Sequence, residues 1–141
     1  MKKKAATIGA AIVIHDLGHA VAALEASAAL DRAVALWSAA GAGIYAGAGW
    51  FAAVERRARA SVPEAHADFI LDCAERADLT QEAFRAGIKG ACFTGPAAVA
   101  ERLANIAGKR RARLYRRRPK ALDLLHEAEP DAACRRYLTG D

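Results

Sequence analysis

Between residues 66 and 108 the chain reads strand, helix, strand, helix, and this order restricts the fold more than any other feature of its 141 residues. Ala67-Asp68-Phe69-Ile70-Leu71-Asp72 has the length and the β-favouring Phe and Ile of a strand buried on both faces. Asp68 falls near its start and Asp72 at its end, where a charge is expected to reach water. A helix follows, with Thr80 as the expected N-cap and Leu79 and Phe84 at the spacing of a hydrophobic staple. Gly87 stops it, and residues 88–93 form the next strand. Thr94-Gly95-Pro96 opens a second helix with Pro96 at its first position, Val99, Leu103 and Ile106 as its apolar stripe and Gly108 at its end. Strands alternating with helices at this rhythm imply a parallel sheet with right-handed crossovers.

The flanking sequence extends the pattern. Residues 8–15 read as a first strand, and Asp16 caps a helix over 17–29 whose Leu17, Val21, Leu24 and Ala28 share a face. A second strand covers 33–38. A glycine-rich loop covers 39–49, and a helix over 50–61 turns Trp50, Phe51, Val54 and Ala58 inward and Arg56, Arg57 and Arg59 outward. Residues 112–116 give a fifth strand and 120–129 a last helix; from Pro130 no period remains. The expected architecture is one α/β domain over 1–129 with a loosely ordered tail over 130–141. It is a three-layer α/β/α sandwich around a five-stranded, mainly parallel sheet in the flavodoxin-like order 2-1-3-4-5, which puts helices on both faces. Such sheets bind ligands at the carboxyl ends of their strands, where the strand order reverses. Between strands one and three this brings His15, Asp16 and His19 towards Asp72, Cys73 and Glu75, with Thr94 and Gly95 next along the edge.

Composition narrows the setting. A hydrophobic share of 54% excludes a disordered chain. Cys73, Cys92 and Cys134 are odd in number and lack CxxC spacing, which argues against a disulfide scaffold or a zinc site and suits a reducing cytoplasm. Met1-Lys2-Lys3-Lys4 before an apolar run has the look of a signal peptide's start, but a basic start leading into a buried strand is the favoured reading. That run is far shorter than the ~20 residues that span a bilayer, so no membrane partner is expected.

Several constellations carry chemistry. His15 and His19 are four apart, a spacing that chelates metal when both rings leave one helix. His15 precedes the helix, so a capping Asp16 between loop residues is favoured and no metal is assigned. Gly41, Gly43 and Gly47 give a GxGxxxG spacing between a strand and a helix, but two alanines separate Gly41 from the strand, and a flexible cover over a cleft fits better than a dinucleotide site. No cofactor is assigned. Thr94-Gly95-Pro96 exposes helix amides at a strand's carboxyl end, an arrangement suited to an anion. Residues 109–120 hold eight basic residues and Tyr115; Arg116, Arg117 and Arg118 could meet nucleic-acid phosphates, or the segment could be a charged edge strand that blocks unwanted pairing.

Two families share parts of this pattern. The βα unit with Gly87 before its strand and Thr94-Gly95 after it resembles a unit of the phosphate-binding aldolase barrels, over about thirty residues and without a catalytic lysine. The order of polar strand ends is similar to that of response-regulator receiver domains. Their acid pair, phospho-accepting Asp, Thr or Ser, and Lys-Pro would correspond here to His15-Asp16, Asp72, Thr94 and Arg118-Pro119. His replaces one acid, Arg replaces Lys, and the span from Asp72 to Thr94 is short, so the resemblance implies a degenerate receiver-like domain.

These readings converge on a small cytoplasmic module that takes a small anionic ligand, bearing phosphate or carboxylate, at the carboxyl edge of the sheet. Asp16, Asp72, Thr94 and Gly95 would orient it, under a cover containing Gly41 and Gly43. The first alternative is a small enzyme using the same cleft, with His15 or His19 as general base and Asp72 as a further candidate. The second is a nucleic-acid-binding accessory protein using residues 109–120.

Overall fold

The computed structural model describes residues 9–140. In chain order the elements are β1 (Ala10–Val13), α1 (Leu17–Leu30), β2 (Val34–Trp37), α2 (Ala42–Tyr45), α3 (Ala48–Ser61), β3 (Ala67–Asp72), α4 (Ala77–Arg85), β4 (Gly90–Cys92), α5 (Ala97–Lys109), β5 (Arg113–Tyr115), β6 (Leu122–Asp123) and α6 (Pro130–Thr139). All pairings are parallel. Ile8, at the start of the expected first strand, and the basic segment before it lie outside the described residues.

The sheet has six strands in the order β5-β4-β3-β2-β1-β6, which corrects the expected five strands in the order 2-1-3-4-5. The physical reason lies in the crossovers. A right-handed connection from each strand to the next one along puts every helix on the same face, and only a change of direction moves a helix to the other. From β1 to β5 the direction never changes. The neighbours α6, α1, α3, α4 and α5 accordingly form one continuous layer. The helix-covered face of the sheet is lined by Ile12, Val34, Leu36, Phe69, Leu71 and Ala91, with Phe93 and Leu114 under α5. The three-layer sandwich is therefore replaced by a sheet with helices on one side, and the receiver-like and flavodoxin-like topologies go with it.

The second face is protected by curling. Ala11, Val13, Ala35, Trp37, Ile70 and Cys92 form a separate buried cluster there, joined by Tyr115 and Ala121, with no helix residue. Trp37 on β2 and Tyr115 on β5 have ring centroids 5.2 Å apart, although three strand spacings separate their strands. In a flat sheet that separation is ~14 Å. Residues 116–121 alone carry the chain from one edge strand to the other, too short a path across a flat six-stranded sheet with a parallel return. The result is barrel-like, with helices outside and a narrow core inside that sets Ala11, Ala35 and Cys92 beside Val13, Trp37 and Ile70.

Local differences have local causes. Asp16 caps α1 as expected, its carboxylate accepting from the His19 amide at 2.7 Å. The buried face of α1 is Ala20, Ala23, Leu24 and Ser27, because alanines let the helix lie close to its neighbours. Thr80 is not a cap: α4 starts at Ala77, and the buried Thr80 hydroxyl donates to the Arg76 carbonyl one turn back. The glycine-rich loop contains the short α2, between Gly41 and Gly47, both at positive φ. Gly108 lies inside α5. The last helix, expected over 120–129, is instead α6: residues 122–123 pair with β1 as β6, and the supposedly loose tail from Pro130 is helical, with Ala133, Cys134 and Leu138 buried.

Candidate functional site

Each strand brings a polar group to its carboxyl end. His15 follows β1, Ser38 follows β2, Asp72 ends β3, Thr94 lies just past β4, Arg116 and Arg118 follow β5, and Asp123 ends β6. His15, Asp16, Asp72, Thr94 and Gly95 thus share one edge, but they divide into two groups, because β2 separates β1 from β3. His15 does not neighbour Asp72; its partner is Asp123.

The first group centres on Asp72. Far from reaching water, this residue is only 3% exposed. One carboxylate oxygen accepts from the Ala74 amide at 2.9 Å and the other from Arg118 Nη1 at 2.9 Å, while its own amide donates to Ser38 Oγ at 2.9 Å. The Ala74 carbonyl in turn accepts from the Thr94 amide at 2.8 Å, so this network ties the ends of β2, β3 and β4 together. Arg118 lies over the Trp37 ring, 5.4 Å from its centroid. Beneath it Trp37 is 1% exposed, and its Nε1–H has no acceptor. A buried donor left unpaired costs about 1–3 kcal/mol, and such a group in a native structure calls for a partner. Among the described residues Arg118 uses only Nη1 in hydrogen bonding, which leaves Nε and Nη2 to donate. Arg116 spends both terminal nitrogens on the Phe93 and Gly95 carbonyls at 2.8 Å. It thereby braces the Thr94–Pro96 turn, where a side chain at Gly95 would overlap the Phe93 ring. Thr94, Ala97 and Ala98 are exposed beside it.

The second group sits at the β1–β6 pair, the one place where the strand order reverses. His15 Nε2 is 2.6 Å from Asp123 Oδ1. Partial burial works to raise the Asp123 pKa, but the Leu125 amide and His15 outweigh it and hold the carboxyl below its usual range. With Asp123 ionised it is the acceptor, and the neutral tautomer of His15 that fits this contact has its proton on Nε2 and a lone pair on Nδ1. The His15 amide donates to His19 Nδ1 at 3.0 Å. The two rings are 5.7 Å apart and nearly perpendicular. No group of three potential ligands positioned for a metal occurs among the described residues. His15 also lines a cleft of about 160 Å³ with Ile14, Ala39, Ala42, Tyr45, Ala46 and Trp50.

The glycine loop forms the outer wall of that cleft. Gly43 is small for packing reasons: a Cβ there would press on the Asp72 carbonyl and Cys73 at about 3.1 Å. Gly41 supplies a left-handed φ of 70° just before α2. Burial, followed by the smaller effect of Asp72, pushes the Cys92 thiol up to about 12, and burial pushes Cys73 up to about 11, so neither is poised as a thiolate. Of the three arginines considered for nucleic acid, Arg116 and Arg118 are engaged within the chain, and Arg117 is exposed. Sequence reasoning missed Ser38, Trp37 and Asp123. Asp123 was hidden inside an expected helix, and nothing local marks a strand-end Ser or Trp.

No protein-family model matches the sequence, and no curated protein is detectably similar to it. The class is therefore the one the fold itself defines: a curled parallel α/β domain with its polar groups gathered at the carboxyl ends of the strands. Among the described residues no helix is long and apolar enough to cross a membrane.

Proposed function

We propose that this chain is a ligand-binding or regulatory module that takes a small anionic ligand, bearing phosphate or carboxylate, at the carboxyl mouth of the curled sheet. The observation that carries this reading is the buried, acceptor-less Trp37 Nε1–H under an arginine with donors to spare. Donors in excess of acceptors favour an anion or a carbonyl oxygen. Asp72 would repel an anion if bare, but Arg118 already neutralises it at 2.9 Å. Thr94, Ala97 and Ala98 on the same edge offer a hydroxyl and free amides to the far side of a larger ligand.

Calorimetric titration with inorganic phosphate tests the reading. The wild-type affinity should be in the millimolar range, about −4 kcal/mol. Asp72→Asn should bind more tightly, because it removes the charge competing for Arg118, whereas Arg118→Met should abolish binding. Equal affinities in all three proteins would refute the site.

A second reading is supported by the His15–Asp123 pair beside a cleft. There His15 Nδ1 acts as a general base, with Asp123 fixing the tautomer and offsetting the imidazolium once formed. The imidazole 15N shifts of the free protein test it, since Nδ1 must be the unprotonated nitrogen.

A further inference from the structure

We propose that the cleft between β1, β2 and α2 binds a single aromatic ring carrying an acidic O–H or N–H, and that His15 accepts that proton. This rests on the second reading above and adds the class of ligand.

Size comes first. The cleft encloses about 160 Å³. An apolar cavity of ~150 Å³ holds one benzene-sized molecule, so one six-membered ring fits. Chemistry comes next. Ile14, Ala39, Ala42 and Ala46 are apolar walls, while Trp50 and Tyr45 supply aromatic surface. Aliphatic and aromatic walls favour a ring over a sugar or a free phosphate. Two ionisable groups of that lining can accept a hydrogen bond, the largely exposed Tyr45 hydroxyl and the more buried His15, whose neutral ring keeps a lone pair on Nδ1 when Asp123 holds Nε2. A ring with a donor can pair with that lone pair, and a ring without one cannot.

The proton step balances within this pair. For a ligand more acidic than imidazolium the O–H bond breaks, its electron pair stays on the ligand as a phenolate-type anion and the proton moves to His15 Nδ1. The imidazolium is then held against the Asp123 carboxylate. Phenol, with a pKa of ~10 against ~6.5 for imidazole, donates a hydrogen bond to Nδ1 and keeps its proton. On α2, beside the cleft, Ile44 and Tyr45 are 52% and 69% exposed between the positive-φ Gly41 and Gly47.

The probes are phenol and toluene, equal in ring size and differing in the donor, followed by the indole N–H resonance of Trp50. Phenol should bind roughly fivefold to tenfold more tightly than toluene, the preference one hydrogen bond gives. His15→Leu should remove the preference, Asp123→Asn should reduce it, and toluene binding should persist in both as the sign of an intact cleft. Equal binding of the two probes to the wild type would overturn the proposal, as would a phenol preference that survives His15→Leu or no shift at Trp50 with either probe. The 15N tautomer measurement separates the layers. An unprotonated Nδ1 with no phenol preference defeats only the ligand class, and a protonated Nδ1 defeats the general-base reading as well.

Discussion

The outer face of the sheet lays Ile12, Leu36, Phe69, Leu71 and Phe93 against a layer of helices, whereas the inner face has Ala11, Ala35, Ile70 and Cys92 and closes over Trp37 with Tyr115 and the Arg118–Asp72 pair. Both faces are dry, but for different reasons. Outside, large apolar side chains meet helices and stability follows from area. Inside, curvature brings the strands together around Trp37, with Ala11, Ala35 and Cys92 beside Val13 and Ile70, and Gly90 packs against Ile70. The inner face therefore ends at its carboxyl mouth in polar groups instead of a helix.

The largest effect expected from this contrast is on the outer face. Phe93→Ala removes a fully buried ring and should cost about 3–5 kcal/mol in a chemical melt. A loss under ~1 kcal/mol would mean that the outer layer is not the main core. Next comes the ion pair. Arg118→Met strands a buried carboxylate and should cost about 3 kcal/mol, most of it recovered in the double variant with Asp72→Asn. No recovery would show that Arg118 acts through its packing on Trp37 and not through charge.

The thiols give a third, smaller effect on pH dependence. Cys73, Cys92 and Cys134 are raised by burial above the ordinary 9.0, to about 11, 12 and 11. A thiol whose folded pKa is raised stabilises the fold below the unfolded value and loses that contribution as pH climbs through the folded one. Their share of stability should therefore hold up to about pH 9 and be lost towards pH 11–12. At about pH 8, alkylation in the native state should run ~100-fold slower than in urea. Rapid native labelling of Cys73 would contradict its burial. The smallest effect is at the orphan donor: Trp37→Phe loses ring volume but also removes the unpaired N–H, so the net change should stay within about 1.5 kcal/mol.

The same contrast explains what could be read from the sequence. β3 was legible to the residue, because Ala67 to Asp72 is a mostly apolar run of strand length with β-favouring Phe69 and Ile70. The carboxyl-edge positions of Asp72 and Thr94 followed from that. Strand order was not legible: a strand buried by helices on both faces and one buried by helices outside and curvature inside have the same apolar run. Small inner residues such as Ala11, Ala35, Gly90 and Cys92 were the available signal, visible once the faces are assigned. The pairing of Asp72 with Arg118 depends on how residues 116–121 cross the mouth, and that of His15 with Asp123 on a two-residue strand with no period of its own.

The central claim, that the inner face's carboxyl mouth holds an anion, is tested most directly by the indole N–H of Trp37 in a 1H–15N spectrum during titration with phosphate. That resonance should move saturably, at lower phosphate in Asp72→Asn and not at all in Arg118→Met, while the indole of Trp50 stays in place. A Trp37 indole that does not move in an otherwise intact wild-type spectrum, or that moves equally without Arg118, would contradict the account.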